Sequence, residues 1–381
     1  MPFHFYHPGT LKLLSDTVLA RYWYRRRHPV SRRADEHRSS FYAEVWREAA
    51  ARLGASIEEL DRDLFEIRLG RACTRARQNT TTIDDPVTLS VAANKPLVYR
   101  LLSKRGLRIP NHLEFTLGGI AQVLAFIRRF GGEWVVKPAN GAAGLGVTTG
   151  VVTTFQLVRA AVAAAAFGSN LVVEQQAEGN VYRLLYLNGR LLDAVLRKSP
   201  AVVADGSSSI RKLVRLENQA RLKAGCKFGQ VLLSIDLDMR HTLAKQGLSL
   251  SSVPKKGAAV TLKTVINENS VADNVSATSL LCKSIIEDGA AAAAAVGVRL
   301  AGVDVVTRDP GVPLAQSGGV ILEVNTTPGY HYHYYQRDGS AAVAIPILSW
   351  LLIERPKSGE VLMGSRGAQR LDAVIRTGRQ S

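Results

Sequence analysis

The sequence predicts an α+β protein of two or three packed lobes, and three observations lead there. Two strand-like runs, 300–307 (LAGVDVVT) and 320–325 (VILEVN), are joined by a polar loop containing Gly and Pro. Two further strands, 182–187 and 191–198, flank Asn188-Gly189, a dipeptide whose tolerance of positive φ marks a tight hairpin. Around them lie stretches of helical spacing, among them the alanine-rich segments 155–167 and 277–296. A chain of 381 residues with 46% apolar content is long enough to bury more than one core.

The pair of strands at 300–325 is where chemistry is expected. Side chains alternate along a strand, so Glu323 and Asn325 share one face while Val320, Leu322 and Val324 share the other. If the two strands pair, Asp304 lies opposite Glu323. Two carboxylates and an amide oxygen would then converge, a hard-oxygen set suited to Mg²⁺ carried in on nucleotide phosphates, with a solvated strand face as the alternative reading.

Composition narrows the setting. No apolar run reaches transmembrane length, and the N-terminus lacks the basic lead and small-residue cleavage site of a signal peptide, so a cytoplasmic protein is expected. Cys73, Cys226 and Cys282 are scattered, with neither metal-ligand spacing nor a disulfide framework. The formal charge of +17 would attract nucleic acid, an anionic membrane surface, or anionic small molecules such as ATP and acidic substrates. No RNA-binding aromatic signature, zinc-finger spacing or helix-turn-helix pattern accompanies it, which disfavours nucleic acid as the main partner.

In chain order, residues 1–64 read as a helical N-terminal region. Phe41, Val45, Trp46 and Ala49 fall at helical spacing, and Ser56 followed by Glu59 resembles a capping box before Leu60 and Leu64. The run RRRHPVSRRADEHR reads as a solvated connector broken by Pro29, or else a basic clamp for an acidic partner. Residues 65–110 give a short strand, a polar loop, and one helix from about Val87 to Gly106 with Leu97, Leu101 and Leu102 as its buried stripe. Lys95, early on that helix, is either a surface residue or a phosphate ligand near a helix N-terminus. After a helix at 119–131, a buried strand ends in Lys137 and runs into Asn140-Gly141-Ala142-Ala143-Gly144-Leu145-Gly146. A glycine-rich loop offers close backbone approach and free N–H groups for phosphate, and the strand lysine before it strengthens that reading; the loop fits neither the Walker A nor the dinucleotide pattern. Next come a strand through Glu174, a short linker (Ala177-Glu178-Gly179), and the hairpin, on which Arg183, Arg197 and Lys198 are the cations. The turn DGSSSI at 205–210 offers hydroxyl and backbone donors, a helix is expected near 241–247, and a polar loop holds Asn267, Glu268, Asn269 and Ser270.

Taken together, the segments VVKPANGAAGLGV, VVEQQAEGNVYRLLYLNGRLLDAVLRKSP, DGSSSIRKL, SLSSVPKKGAAVTLK and GVDVV…GGVILEVNTTPG resemble the ATP-grasp ligases, the superfamily of D-alanine ligases and glutathione synthetases. Within it, 65–333 looks most like the ATP-grasp region of cyanophycin synthetases. The resemblance implies an ATP-grasp fold, with two α+β lobes clasping ATP: residues 111–337, divided into 111–178 and 179–337, preceded by 65–110 and followed by a C-terminal helix and basic tail at 338–381. It implies ATP-dependent carboxylate–amine ligation through an acyl phosphate, on an amino acid or short peptide. The alternatives are modification of a larger acidic peptide and a regulatory nucleotide-binding protein without turnover. ATP and Mg²⁺, with Mn²⁺ as a substitute, are the implied cofactors, no membrane span is expected, and homodimerisation is left open.

By position in the family pattern, Lys95 and Lys137 would contact the ATP phosphates, and Gly141, Gly144 and Gly146 would let the loop close over them. Glu174 and the backbone to Ala177 would recognise adenine, with Glu178 near the ribose. Asp304, Glu323 and Asn325 would hold the metal, and Arg197 and Arg183 would stabilise the acyl phosphate. Three departures stand out. The resemblance stops before the Mur-ligase-like ATPase domain of cyanophycin synthetases, so synthesis of that alternating polymer is not expected. Val181 replaces an acidic residue, which weakens the ribose assignment. Tyr330-His331-Tyr332-His333-Tyr334-Tyr335 stands where the family tends to have an arginine after the Pro-Gly turn; it reads as a wall of the acceptor pocket, or as a metal-binding HxH pair.

Overall fold

The structure, a computed structural model, describes residues 32–141, 144–224, 232–270 and 273–354. Helix α1 (Arg32–Leu53) opens it, and Gly54, at φ 67°, ends the helix. Part of the run read as a connector is therefore helical from Arg32, while residues 25–31 of that run lie outside the described residues. A four-stranded antiparallel sheet follows: β1 (Ser56–Asp61), β2 (Leu64–Leu69), β3 (Ala72–Arg77) and β4 (Thr80–Thr81), in that order. The helix expected from Ser56 to Leu64 is thus strand β1 and its turn. Tight turns at Asp63, Gly70 and Gln78, all at positive φ, repeat at hairpin spacing, and pairing with β2 overrides the local cap signal.

The single helix expected over 87–106 is two, α2 (Pro86–Ala93) and α3 (Lys95–Lys104). Asp85 caps the first, accepting from Val87 N and Thr88 N, and Asn94 caps the second, accepting from Leu97 N. Pro96 lacks the N–H that a continuous helix would need, so the break falls before it and Lys95 becomes the first residue of α3. The buried stripe is Pro96, Val98, Tyr99 and Leu102 rather than the leucines at 97 and 101.

The first lobe is a sheet of β5 (His112–Phe115), β6 (Trp134–Pro138), β7 (Thr148–Val151) and β8 (Leu171–Gln175), ordered β5-β8-β6-β7. Helices α4 (Ile120–Phe130) and α5 (Thr154–Ala165) cover it, burying Trp134, Val136, Leu157 and Val173. The second lobe centres on β9 (Asn180–Leu187) and β10 (Arg190–Arg197), joined by the Asn188-Gly189 turn with both residues at positive φ. Between them and the last strands comes an excursion carrying β11 (Ala201–Val203), α6 (Ile210–Lys223), α7 (Leu237–Lys245) and β12 (Ala259–Thr261), with a core of its own around Ile210, Met239 and Leu262. The helix expected near 241–247 is α7, which starts at Leu237 because Asp236 caps it through Met239 N.

Strand β13 (Asn274–Ser276), helix α8 (Lys283–Val296), β14 (Leu300–Thr307), the one-turn α9 (Leu314–Ser317) and β15 (Val320–Asn325) complete this lobe, with sheet order β13-β10-β9-β14-β15. Both faces of the sheet are covered. Leu184, Tyr186, Val303 and Val305 pack against α8, and Leu185, Leu187 and Leu300 pack against α1 and α11 (Ala344–Ser349). The short α10 (His331–Tyr334) lies between β15 and α11. Among the described residues no helix is long and apolar enough to cross a membrane.

One buried carboxylate pins the excursion to the first lobe. Asp238, on α7 and 1% exposed, accepts from Thr149 N and Oγ1 on β7 and from Thr264 N and Val265 N. Asp238→Ala would orphan these donors in the interior and is expected to lower stability by about 3–5 kcal/mol in urea titrations, whereas a loss below about 1 kcal/mol would show that the contacts do not persist in solution.

Candidate active site

Five candidate side chains, Asp304, Glu323, Asn325, Arg183 and Arg197, gather on one face of the second-lobe sheet. Strands β14 and β15 pair antiparallel with Asp304 opposite Glu323 and Gly302 opposite Asn325, the register the alternation predicts. The apolar face differs from expectation: a register shift after Asp304 leaves Leu322 as an extra residue, so Ile321 and Val324, not Val320 and Leu322, enter the core against α8. On β9, Arg183 sits opposite Asp304, and on β10 Arg197 and Asp193 project from the same face. Gly302 leaves room for this crowding, since a Cβ there would lie 3.0 Å from Pro328 Cβ and 3.2 Å from Arg183 Cδ.

Arg183 grips Asp304 with two parallel bonds, Nε to Oδ1 at 2.5 Å and Nη2 to Oδ2 at 2.8 Å. Burial pushes the Asp304 carboxyl up, but the Arg183 charge and hydrogen bonds more than reverse this and hold it below the usual carboxylate value. Asn325 Nδ2 donates to the Gly302 carbonyl at 3.2 Å and lies 3.4 Å from Asp304 Oδ2. Glu323 faces across to the first residue of α3: Lys95 Nζ lies 3.2 Å from its Oε1 and 2.6 Å from the carbonyl of Gly141. Lys95 thereby links the carboxylate cluster to the glycine-rich loop.

Lys137, at the end of β6, forms a second centre. Its Nζ lies 2.7 Å from Glu174 Oε2 on β8 and 3.1 Å from the Tyr99 hydroxyl on α3. Tyr99 Oη lies 2.6 Å from Glu174 Oε2 and 3.0 Å from the Leu322 carbonyl, so it touches both lobes. Burial, and next the Glu174 charge, push the Tyr99 phenol far up, and it stays a donor. The sequence reading missed Tyr99; the available signal was its place one helical turn after Lys95. Glu174 is 2% exposed, and its carboxylate is held by Lys137 and Tyr99. Ala177 is half-buried in the linker, and Glu178 is exposed and paired with Arg308.

In the glycine-rich loop, residues 142–143 lie outside the described residues. Gly144 and Gly146 have φ of 69° and 72°; a Cβ at Gly144 would lie 2.8 Å from Asn267 Cγ and one at Gly146 2.6 Å from Phe167 Cδ2. Glycine is required at both, for conformation and for space. The segment through Asn267 covers the loop and is itself anchored by Lys263, which is buried between Asp236 (2.6 Å) and Glu268 (2.9 Å).

The Tyr/His cluster packs over this face. Tyr330 is buried against Tyr42 and Trp46 of α1, and His333 Nδ1 lies 2.8 Å from Asp193 Oδ2, which also accepts from Gln336 Nε2. His333 is thus anchored to β10 through Asp193, and among the described residues no group of three His, Cys, Asp or Glu is placed to hold a metal ion. Burial lowers the His333 pKa from its ordinary 6.5, with Asp193 opposing, and His331 is pushed further down by burial and next by Arg197. The unfolded chain therefore takes up protons on these rings below about pH 6.5 before the folded chain does, and stability falls as pH falls. The thermal midpoint is expected to drop between pH 6.5 and 5, with a shallower drop in His333→Asn; parallel curves for the two proteins would contradict this.

The donor set fits a hard divalent cation: two carboxylates and a carboxamide on adjacent strands, of which the Glu323 side chain is 30% exposed. The glycine cradle, too tight for any Cβ at Gly144 or Gly146, together with Lys95 fits a phosphate chain.

No family model matches the chain. Its sequence is 27% identical over 337 residues to the cyanophycin synthetase of Trichormus variabilis, covering 84% of this chain and 37% of that protein. It is 28% identical over 285 residues to the glutathione biosynthesis bifunctional protein GshAB of Mannheimia succiniciproducens, covering 72% of this chain and 37% of the other. Among solved structures, a bifunctional glutathione synthetase from Pasteurella multocida superposes with a TM-score of 0.51 at 23% identity, over 80% of this chain and 42% of that one. The chain spans little more than a third of the length of the curated relatives it matches. The likeness to that synthetase shows the fold: the chain has the two-lobed α+β architecture of an ATP-grasp protein.

Proposed function

We propose that this chain is an ATP-dependent carboxylate–amine ligase, acting in the cytoplasm, where ATP is supplied, on an amino acid or short peptide. The observation that carries the reading is the in-register pair Asp304–Glu323 with Asn325 beside it, faced by Lys95 at the head of α3. Asp304, Glu323 and Asn325 would hold Mg²⁺, which would supply positive charge against the phosphate oxygens. Lys95, Lys137 and the N–H groups of the glycine-rich loop would bind the triphosphate. The γ-phosphoryl group passes to the substrate carboxylate; the amine nitrogen then bonds to the acyl carbon as the C–O bond to phosphate breaks and the amine gives up a proton. Arg197 would meet the negative charge that gathers on the acyl phosphate, and Arg183 holds Asp304 ionised and fixed. The cover of Val265 and Asn267 over the loop supports exclusion of water from the activated acyl group.

The test is phosphate release from ATP and Mg²⁺ by the purified protein against pooled amino acids, dipeptides and acidic peptides, with mass spectrometry of active pools. A product lighter by one water than two substrates combined is expected. ATP binding with no turnover in any pool would refute the small-substrate ligase.

A further inference from the structure

We propose that Tyr332 is a positioning residue that holds the Arg197 guanidinium in place by stacking, an inference that rests on the ligase reading above. The Cζ of Arg197 lies 4.2 Å from the centroid of the Tyr332 ring, and that of Arg183 5.7 Å from the same centroid. The two arginines differ in what else holds them. Both hydrogen bonds of Arg183 go to Asp304, so its orientation is fixed without the ring. Arg197 donates from Nη2 to the Ile266 carbonyl, and its Nε is buried with no partner. A buried guanidinium with an unspent donor is the one able to take up a new anion, and it is also the one with least to hold it still.

The ring supplies that restraint. An aromatic face attracts a guanidinium most when water is excluded, and stacking fixes the plane of the fork without using its N–H groups. Tyr332 is itself immobilised from both sides along the chain. The His331 ring lies 3.9 Å from it and presses on Gly329, where a Cβ would come within 2.7 Å of His331 Cε1. The next residue, His333, is tied to Asp193, two strand repeats from Arg197 on the same face of β10. The aromatic run after the Pro-Gly turn is thus a rigid shelf, and half-buried Tyr332 is the part of it that meets the two arginines.

Two measurements test this. The first is independent of turnover: ¹⁵N-arginine spectra should show one Nε–H resonance shifted by the ring current, absent in Arg197→Ala, retained in Tyr332→Phe and moved downfield in Tyr332→Leu. The second uses an active substrate pool. Tyr332→Leu should lower kcat about tenfold with KM for ATP little changed, and Tyr332→Phe should recover to within about twofold of wild type. In an Arg197→Ala background, Tyr332→Leu should add less than about a further twofold loss, because its effect runs through the missing guanidinium. Turnover without the shifted resonance, a fully active Tyr332→Leu, or additive losses in the double variant would overturn the positioning role and leave the ligase reading intact. A wild-type protein that shows the resonance but turns over no pool would refute both the ligase reading and the role assigned to the stack.

Discussion

Arg183→Met is expected to destabilise the protein by about 3–5 kcal/mol and to abolish turnover, and the double variant Arg183→Met/Asp304→Leu to regain most of the stability with none of the activity. Asp304 is 6% exposed and Arg183 7%, and they face each other across paired strands at the centre of the sheet. Removing only the guanidinium leaves an ionised carboxylate in the interior with Asn325 and Arg197 as its nearest compensation. Removing both charges trades the pair for apolar contact, which costs far less. The pH dependence follows the same logic. Because the Asp304 carboxyl is depressed in the folded protein, its contribution is complete above the unfolded value near 3.9 and disappears as pH falls through the folded one. Urea titrations at pH 7 and phosphate release on the three proteins decide the matter. A single variant as stable as wild type would mean the pair is hydrated in solution, and an active double variant would remove Asp304 from the site.

Much of the site could be read from the sequence because its parts are locally encoded. Strand alternation and the loop between them were enough to place Asp304 against Glu323, and Asn188-Gly189 was enough to place Arg183 and Arg197 on one hairpin. Where local signals compete, the reading failed. Ser56 and Glu59 satisfy the spacing of a helix cap, yet three closely spaced turns with residues at positive φ commit the segment to a sheet. Asn94-Lys95-Pro96 contains both a cap and a helix breaker, and together they set Lys95 at a helix start within reach of Gly141 and Glu323. The register shift at Leu322 has no local signature; it shows only once Tyr99 is seen beside the Leu322 carbonyl. Pairings such as Asp238 with Thr149 and Val265, or His333 with Asp193, join residues far apart in the chain, and neither composition nor periodicity encodes which distant partner a buried carboxylate will find.

Added MgATP is expected to raise the thermal midpoint of the wild-type protein and to leave that of Lys137→Met unmoved, which separates the structural role of Lys137 from the phosphate-binding role proposed for it. As the counter-ion of Glu174, Lys137 is structural: both are almost fully buried, and deleting the ammonium strands a carboxylate whose remaining partner is the Tyr99 hydroxyl. That alone should cost about 3–5 kcal/mol. As a phosphate ligand it would add ligand-linked stability, which grows with nucleotide concentration as RT ln(1 + [L]/Kd), about 2.7 kcal/mol at a hundredfold excess over Kd. Glu174→Gln isolates the first role, because the amide can still accept from Tyr99 while Lys137 keeps its charge and loses its anchor. The expected order is therefore a full nucleotide-induced shift of the thermal midpoint in wild type, a reduced shift in Glu174→Gln, and none in Lys137→Met. A Lys137→Met protein that is less stable yet shifts as far as wild type would reduce Lys137 to a partner of Glu174. Phosphate binding would then fall to Lys95, the other lysine already in contact with the glycine-rich loop.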